Sequence, residues 1–127
     1  MSQAAAGATK VHVLLVEDEP LVNMMMQEVL ADAGFEVCAV RDASEAVGHL
    51  RNDEAFDVMF TDVHMPGMNG AELARLAHAM RPDLQIVYTS GAVLKAEEKV
   101  PGSAFVPKPY EPAKVCALLS LVAGARH

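Results

Sequence analysis

Four stretches of this chain are apolar at nearly every position and then end on a charged or hydroxyl residue. Val11, Val13, Leu14, Leu15 and Val16 run into Glu17 and Asp18; Val58, Met59 and Phe60 run into Asp62; Ile86, Val87 and Tyr88 run into Ser90; and SAFVPK closes on Lys108. Unbroken apolar runs of this length suit strands covered on both faces, as in a parallel sheet with helices on either side. Between the runs the period becomes helical. After Pro20, tolerated at a first helical position, Val22, Met25, Met26, Val29, Leu30 and Ala33 recur at helical spacing until Gly34 stops the pattern. Residues 44–50, 71–80 and 112–122 read the same way, with Leu73, Leu76, Ala77 and Met80 on one stripe and Val115, Leu118, Leu119 and Val122 on another. Strand and helix alternate five times over, which predicts an α/β fold: a doubly wound, five-stranded parallel sheet with right-handed crossovers.

Composition narrows the picture. A chain of 127 residues with 52% hydrophobic content forms one domain with a real core. Residues 1–9 read as a loose small-residue tail, and 10–127 as the domain. A net charge of −7 argues against nonspecific binding to nucleic acid or anionic membrane, which needs a basic patch. No apolar run is long enough to span a bilayer and MSQAAAGATK lacks a secretory apolar stretch, so a cytoplasmic location is expected. Cys38 and Cys116 have no C-x-x-C spacing and are expected to be buried free thiols. His12, His49, His64, His78 and His127 share no metal-ligand spacing and read as scattered structural or surface residues. Met24, Met25 and Met26 read as core filler with one exposed member.

Open parallel sheets bind ligands beyond the carboxyl ends of their strands. Glu17, Asp18, Asp62, Ser90 and Lys108 all fall at such ends. Each has an ordinary explanation taken singly: acidic residues complement a helix N-terminus, and Asp62, Ser90 and Lys108 precede turn residues. Together they are an acidic cluster facing one ammonium and one hydroxyl, a set able to hold a divalent cation and accept a phosphoryl group.

These residues resemble the receiver domains of two-component response regulators. The resemblance runs from Val11 to about Val122 and rests on the acidic pair in VEDEP, the DVHMPGMNG loop, the hydroxyl in YTSG, and a KP dipeptide with the aromatic Phe105 three residues before Lys108. It implies a flavodoxin-like sheet of strand order 2-1-3-4-5. It also implies a signalling switch in a His-Asp phosphorelay rather than an enzyme acting on a separate substrate, although such a domain catalyses its own phosphorylation and dephosphorylation. A histidine kinase or histidine phosphotransfer protein would donate the phosphoryl group to Asp62. Mg²⁺ would be held by Asp18, Asp62 and the backbone carbonyl of His64, with Glu17 acting mostly through water. Lys108 and Ser90 would hold phosphoryl oxygens, and Phe105 would move inward as Ser90 is drawn to the phosphate.

One segment departs from the family. Only 17 residues separate Ser90 from Lys108. They must supply a helix, a connection and a strand, and only residues 96–99 precede the break at Pro101 and Gly102. A short or irregular fourth family helix is expected, with Val93, Leu94 and Val100 as its anchors on the sheet. Because no DNA-binding module follows, a free-standing regulator acting by protein contact is the first reading, and the receiver module of a hybrid histidine kinase the alternative. A flavin phosphate loop is unlike Glu17-Asp18-Glu19-Pro20, and a haloacid-dehalogenase phosphatase needs an Asp where His64 stands.

Overall fold

Burial is heaviest where the apolar runs are unbroken. In a computed structural model that describes residues 10–52, 54–65, 67–91 and 99–125, β1 (His12–Val16) buries its last four residues and β3 (Val58–Asp62) all five. They are joined by β2 (Glu36–Val40), β4 (Gln85–Ser90) and β5 (Ala104–Pro107) in one parallel sheet of order β2-β1-β3-β4-β5. This is the expected doubly wound order. Four helices among the described residues cover it: α1 (Pro20–Asp32), α2 (Ala43–Arg51), α3 (Gly70–Met80) and α4 (Pro112–Ala125), the last of these being the fifth helix in the family's count.

Alternate strand residues feed opposite faces, as the two-residue strand period requires. Val13, Leu15, Val58, Phe60 and Val87 pack with Met26 and Leu30 of α1 and Val115 and Leu119 of α4. Leu14, Val16, Met59, Ile86 and Tyr88 pack with Ala46 and Leu50 of α2 and Leu73 and Ala77 of α3. The sheet is thus dry on both sides, and the polar ends of its strands are left as the place where chemistry can occur.

Local chemistry places the helix ends. Gly34, at φ +97°, closes α1: its N–H bonds the Ala31 carbonyl (3.0 Å), the Phe35 N–H bonds the Leu30 carbonyl (3.0 Å), and Phe35 is buried with Leu30. Asp42 accepts the Glu45 N–H (2.8 Å) to start α2, and Asn69 accepts the Glu72 N–H (2.9 Å) to start α3. The guanidinium of Arg81, just after α3, donates to the carbonyls of Leu50 (3.0 Å), Asn52 (2.7 Å) and Glu54, tying down the chain that leaves α2.

Several expectations change. β2, EVCAV, is an edge strand with mostly half-buried residues, so it lacks the continuous apolar signature of its neighbours. Cys38 and Cys116 are free but half-buried rather than buried. Met26 is fully buried while both Met24 and Met25 are exposed, because α1 turns only one stripe to the sheet. Residues 1–9 and most of the expected short helix, with Val93 and Leu94, lie outside the described residues. Val100 is buried as expected, its N–H donating to the Tyr88 hydroxyl (2.9 Å). No helix of the described residues is long and apolar enough to cross a membrane.

Two glycines in helices have opposite environments. A Cβ on Gly70 would meet the Asp62 carbonyl oxygen at 2.1 Å, whereas one on Gly48 of α2 would meet nothing within 4 Å. Gly70→Ala is therefore expected to destabilise the fold by about 1–3 kcal/mol through overpacking. Gly48→Ala is expected to stabilise it by about 0.5–1 kcal/mol through helix propensity. Urea unfolding of both variants checks the pair, and equal effects would contradict the packing described here.

Candidate functional site

Parallel register brings the ends of β1, β3 and β4 level, pairing Val16 with Thr61 and Asp62 with Thr89. One residue past β1 is Glu17, whose N–H still bonds the Val40 carbonyl of β2 (3.1 Å). Glu17 is only 4% exposed and Asp62 only 5%. With Asp18 they form a group in which one carboxylate oxygen from each residue lies within 4.8 Å of the others. Three carboxylates gathered so closely are costly: like charges about 4 Å apart at an effective dielectric near 20 repel by roughly 4 kcal/mol.

Lys108 offsets part of this. Just beyond β5, its Nζ stands 2.5 Å from Asp62 Oδ2. Its backbone N–H donates to the Ser90 carbonyl (2.9 Å), which places the lysine beside the end of β4. The Lys108–Pro109 peptide bond is cis. The other oxygen of Asp62, Oδ1, accepts the backbone N–H of His64 (3.0 Å), and the exposed His64 side chain stands apart from this contact. Among the described residues one ammonium, that of Lys108, faces the three carboxylates, so it offsets only part of their charge.

Burial and neighbouring charge together set the titration of these groups. Burial pushes the Glu17 carboxyl up; the Glu19 N–H, which donates to Glu17 Oε2 (2.9 Å), opposes this, and Asp62 adds to the rise. For Lys108, burial pulls downward, but the hydrogen bond and charge of Asp62, reinforced by Glu17, outweigh it and hold the ammonium above its ordinary value. The Tyr110 phenol is also pushed up, first by burial and then by the charge of Glu17.

The five predicted strand-end residues therefore lie along one edge. Ser90 is buried at the end of β4, opposite Pro107 of β5. Phe105 lies opposite Tyr88, half-buried against the α2/α3 core, with the Lys99 ammonium 5.5 Å above its ring. An open cleft of about 680 Å³ beside Asp18, lined also by Arg41, Asp42, Glu45 and Gly67, gives the edge access to solvent.

Three supporting residues escaped the sequence reading. Asn23 is 5% exposed, and its amide donates to the carbonyls of Glu17 (2.9 Å) and Val40 (3.0 Å), locking α1 to the ends of β1 and β2. An Asn interrupting the apolar stripe of α1 was the available signal. Gly70 lets α3 approach the Asp62 backbone, its N–H bonding the Val63 carbonyl (2.8 Å). Tyr110 sets its ring edge-on to Phe60, centroids 6.0 Å apart, under the Lys108 turn.

Comparison with known proteins identifies the fold and family. The chain is 38% identical over 119 residues to the response regulator protein FleR of Pseudomonas aeruginosa, covering 91% of this chain and 24% of FleR, so it spans about a quarter of that relative. A crystal structure of a response regulator receiver protein from Sinorhizobium medicae superimposes with a TM-score of 0.87 at 32% identity, covering 93% of this chain and 98% of that one. The receiver domain of the hybrid histidine kinase CckA superimposes with a TM-score of 0.77 at 26% identity, covering 88% and 98% of the two chains. The family model described as "Response regulator receiver domain" matches residues 13–120, a segment holding every residue of the acidic edge and the lysine that faces it, and the chain belongs to that family.

Proposed function

We propose that the acidic edge is a phosphoryl-accepting site in a His-Asp phosphorelay, with Asp62 as nucleophile. The observation that carries this reading is the placement of Asp62, buried at a strand end between the Glu17/Asp18 pair and the Lys108 ammonium. An oxygen of Asp62 attacks phosphorus of a phosphohistidine on a kinase or phosphotransfer protein. The P–O bond forms as the P–N bond breaks, and the leaving imidazole takes up a proton. Lys108 moves from the carboxylate to a phosphoryl oxygen, and the Ser90 hydroxyl donates to another.

The donor set also fits a hard cation. Glu17, Asp18 and Asp62 offer only carboxylate oxygens, within 4.8 Å of one another, which is the chemistry Mg²⁺ prefers. Asp18, Asp62 and the His64 carbonyl would hold it, with Glu17 reaching it through water. When bound, Mg²⁺ supplies the positive charge that lets an anionic phosphoryl group approach three carboxylates.

Output follows from strand continuity. Drawing Ser90 toward a phosphate pulls the end of β4, to which Tyr88 belongs; the Tyr88 hydroxyl accepts the Val100 N–H, and Phe105 lies across from Tyr88 on β5. The proposed switch is an inward movement of Phe105 read by a protein partner. Such a site suits either a free-standing response regulator or the receiver module of a hybrid histidine kinase.

Intact mass after incubation with acetyl phosphate or phosphoramidate and Mg²⁺ is expected to rise by one phosphoryl group. Asp62→Asn should abolish the gain; undiminished labelling would move the acceptor elsewhere.

Burial of Glu17, with the charge of Asp62 adding to it, gives a pH signature. Because the folded-state pKa of Glu17 is raised above 4.5, the folded protein holds more protons than the unfolded chain between pH 4.5 and the raised value, so its contribution to stability falls as pH rises across that window and is lost above it. In the absence of Mg²⁺, Glu17→Gln should stabilise the protein at neutral pH, with the advantage shrinking on acidification through that range. Millimolar Mg²⁺ should raise the melting temperature of the native chain and not of Asp18→Ala. A pH-independent gain in Glu17→Gln, or equal Mg²⁺ shifts in both proteins, would contradict this account.

Hydrogen exchange tests the switch. With beryllofluoride as phosphate mimic, peptides covering residues 99–105 should show the largest change in protection. Ser90→Ala should still accept phosphate but lose that change. Changes confined to α1 or α2 would place the switch elsewhere.

A further inference from the structure

A second group of metal-binding side chains lies away from the acidic edge. Cys38 is in the middle of β2, His49 in the last turn of α2, and Glu54 in the connection before β3. His49 Nδ1 stands 2.7 Å from Glu54 Oε2 and 3.7 Å from Cys38 Sγ, and the three donor atoms are all within 4.8 Å of one another. Thiolate, imidazole and carboxylate together are a zinc donor set, quite unlike the oxygen-only set around Asp62.

The distances support the assignment. With bonds of about 2.3 Å to sulfur and about 2.0–2.1 Å to nitrogen and oxygen, the edges of a tetrahedral zinc site come to roughly 3.3–3.6 Å. The sulfur–nitrogen separation is already close to that. The nitrogen–oxygen separation must open by roughly half an ångström, within reach of the Glu54 side chain, which is 40% exposed. The carbonyls of Leu50, Asn52 and Glu54 are held by the Arg81 guanidinium. Ligands on a braced backbone with one adjustable side chain form a site at little reorganisation cost. An open cavity of about 320 Å³ lined by His12, Glu36, Cys38 and Glu54 borders the group and leaves room for water as a fourth ligand.

We propose that Cys38, His49 and Glu54 bind a borderline-soft divalent cation of the Zn²⁺ class, with solvent in the fourth position. Cys38 binds as thiolate and His49 as neutral imidazole, their protons passing to solvent. The ion bridges β2, α2 and the connection before β3, so its binding stabilises that corner of the fold. The site is invisible to ligand spacing because its three residues come from three elements, and only one of them is a histidine.

The test uses the full chain with Mg²⁺ saturating, so that the acidic edge is occupied by a hard ion. Co²⁺ is added as a spectroscopic probe and Zn²⁺ as its competitor. The native chain and Cys116→Ser are expected to take up one Co²⁺ with a thiolate-to-cobalt charge-transfer band and tetrahedral-type visible absorption, both removed by Zn²⁺. Cys38→Ser should lose the charge-transfer band. His49→Ala and Glu54→Gln should each weaken Zn²⁺ binding by at least about tenfold, the scale of losing a partner in a metal site. Absence of binding at micromolar metal, a band that survives Cys38→Ser, or an oxygen-only spectrum would overturn the proposal. Should Cys38→Ser fail to fold, the two variants at half-exposed positions decide the matter, and unchanged Zn²⁺ affinity in both overturns it.

Discussion

Negative charge that the fold concentrates and cannot fully neutralise governs this structure. Glu17 and Asp62 are buried with Asp18 beside them, and one ammonium, Lys108, faces the group. A domain selected only for stability would place apolar or neutral residues at these strand ends, since removing charge from a crowded acidic site relieves repulsion. Keeping the carboxylates makes sense when their partner arrives from outside, as a cation or a phosphoryl group with its counter-ion. The excess charge is then a binding energy held in reserve, and the surrounding structure exists to keep it in place. Asn23 clamps the carbonyls beneath Glu17 and Val40, the His64 N–H orients Asp62, and Gly70 allows α3 to close over the Asp62 backbone.

The same architecture links this edge to the rest of the molecule. Strands buried on both faces move as units, because each residue is hydrogen-bonded sideways and packed above and below. In the proposed switch, a pull on Ser90 would be felt along β4 at Tyr88, whose hydroxyl accepts the Val100 N–H, and across the ladder at Phe105. By contrast, α1 carries exposed Leu21, Met24 and Met25 on a face the sheet does not use. These residues add nothing to the packed core.

Legibility in the sequence follows burial. β1, β3 and β4 announced themselves because both faces of each strand are covered, whereas β2 is an edge strand whose half-buried EVCAV lacks that signature. The strand-end residues Glu17, Asp18, Asp62, Ser90 and Lys108 were legible because a parallel sheet brings equivalent strand ends together whatever their separation along the chain. Residues whose role depends on a contact between elements were not legible. Arg81 reads as an ordinary surface arginine until the chain after α2 passes its guanidinium, and Tyr110 as a turn residue until Phe60 lies beneath it. The methionines show the limit of a stripe argument: spacing marks Met25 and Met26 alike as apolar positions, but only Met26 meets the core.

The two candidate cation sites divide by chemistry as well as by place. At the carboxyl ends of the strands every donor is a carboxylate or carbonyl oxygen and much of the surrounding charge is negative, conditions that suit a hard ion keeping its waters and exchanging readily as phosphate comes and goes. In the group formed by Cys38, His49 and Glu54 the donors are mixed, the backbone is braced by Arg81, and the ligands come from three separate elements. A thiolate and an imidazole discriminate strongly against Mg²⁺ and in favour of later transition metals, so the two sites would not compete for the same ion. On the proposed assignments, one cation would serve a reaction that must turn over, while the other would hold β2, α2 and the connection before β3 in a fixed relation.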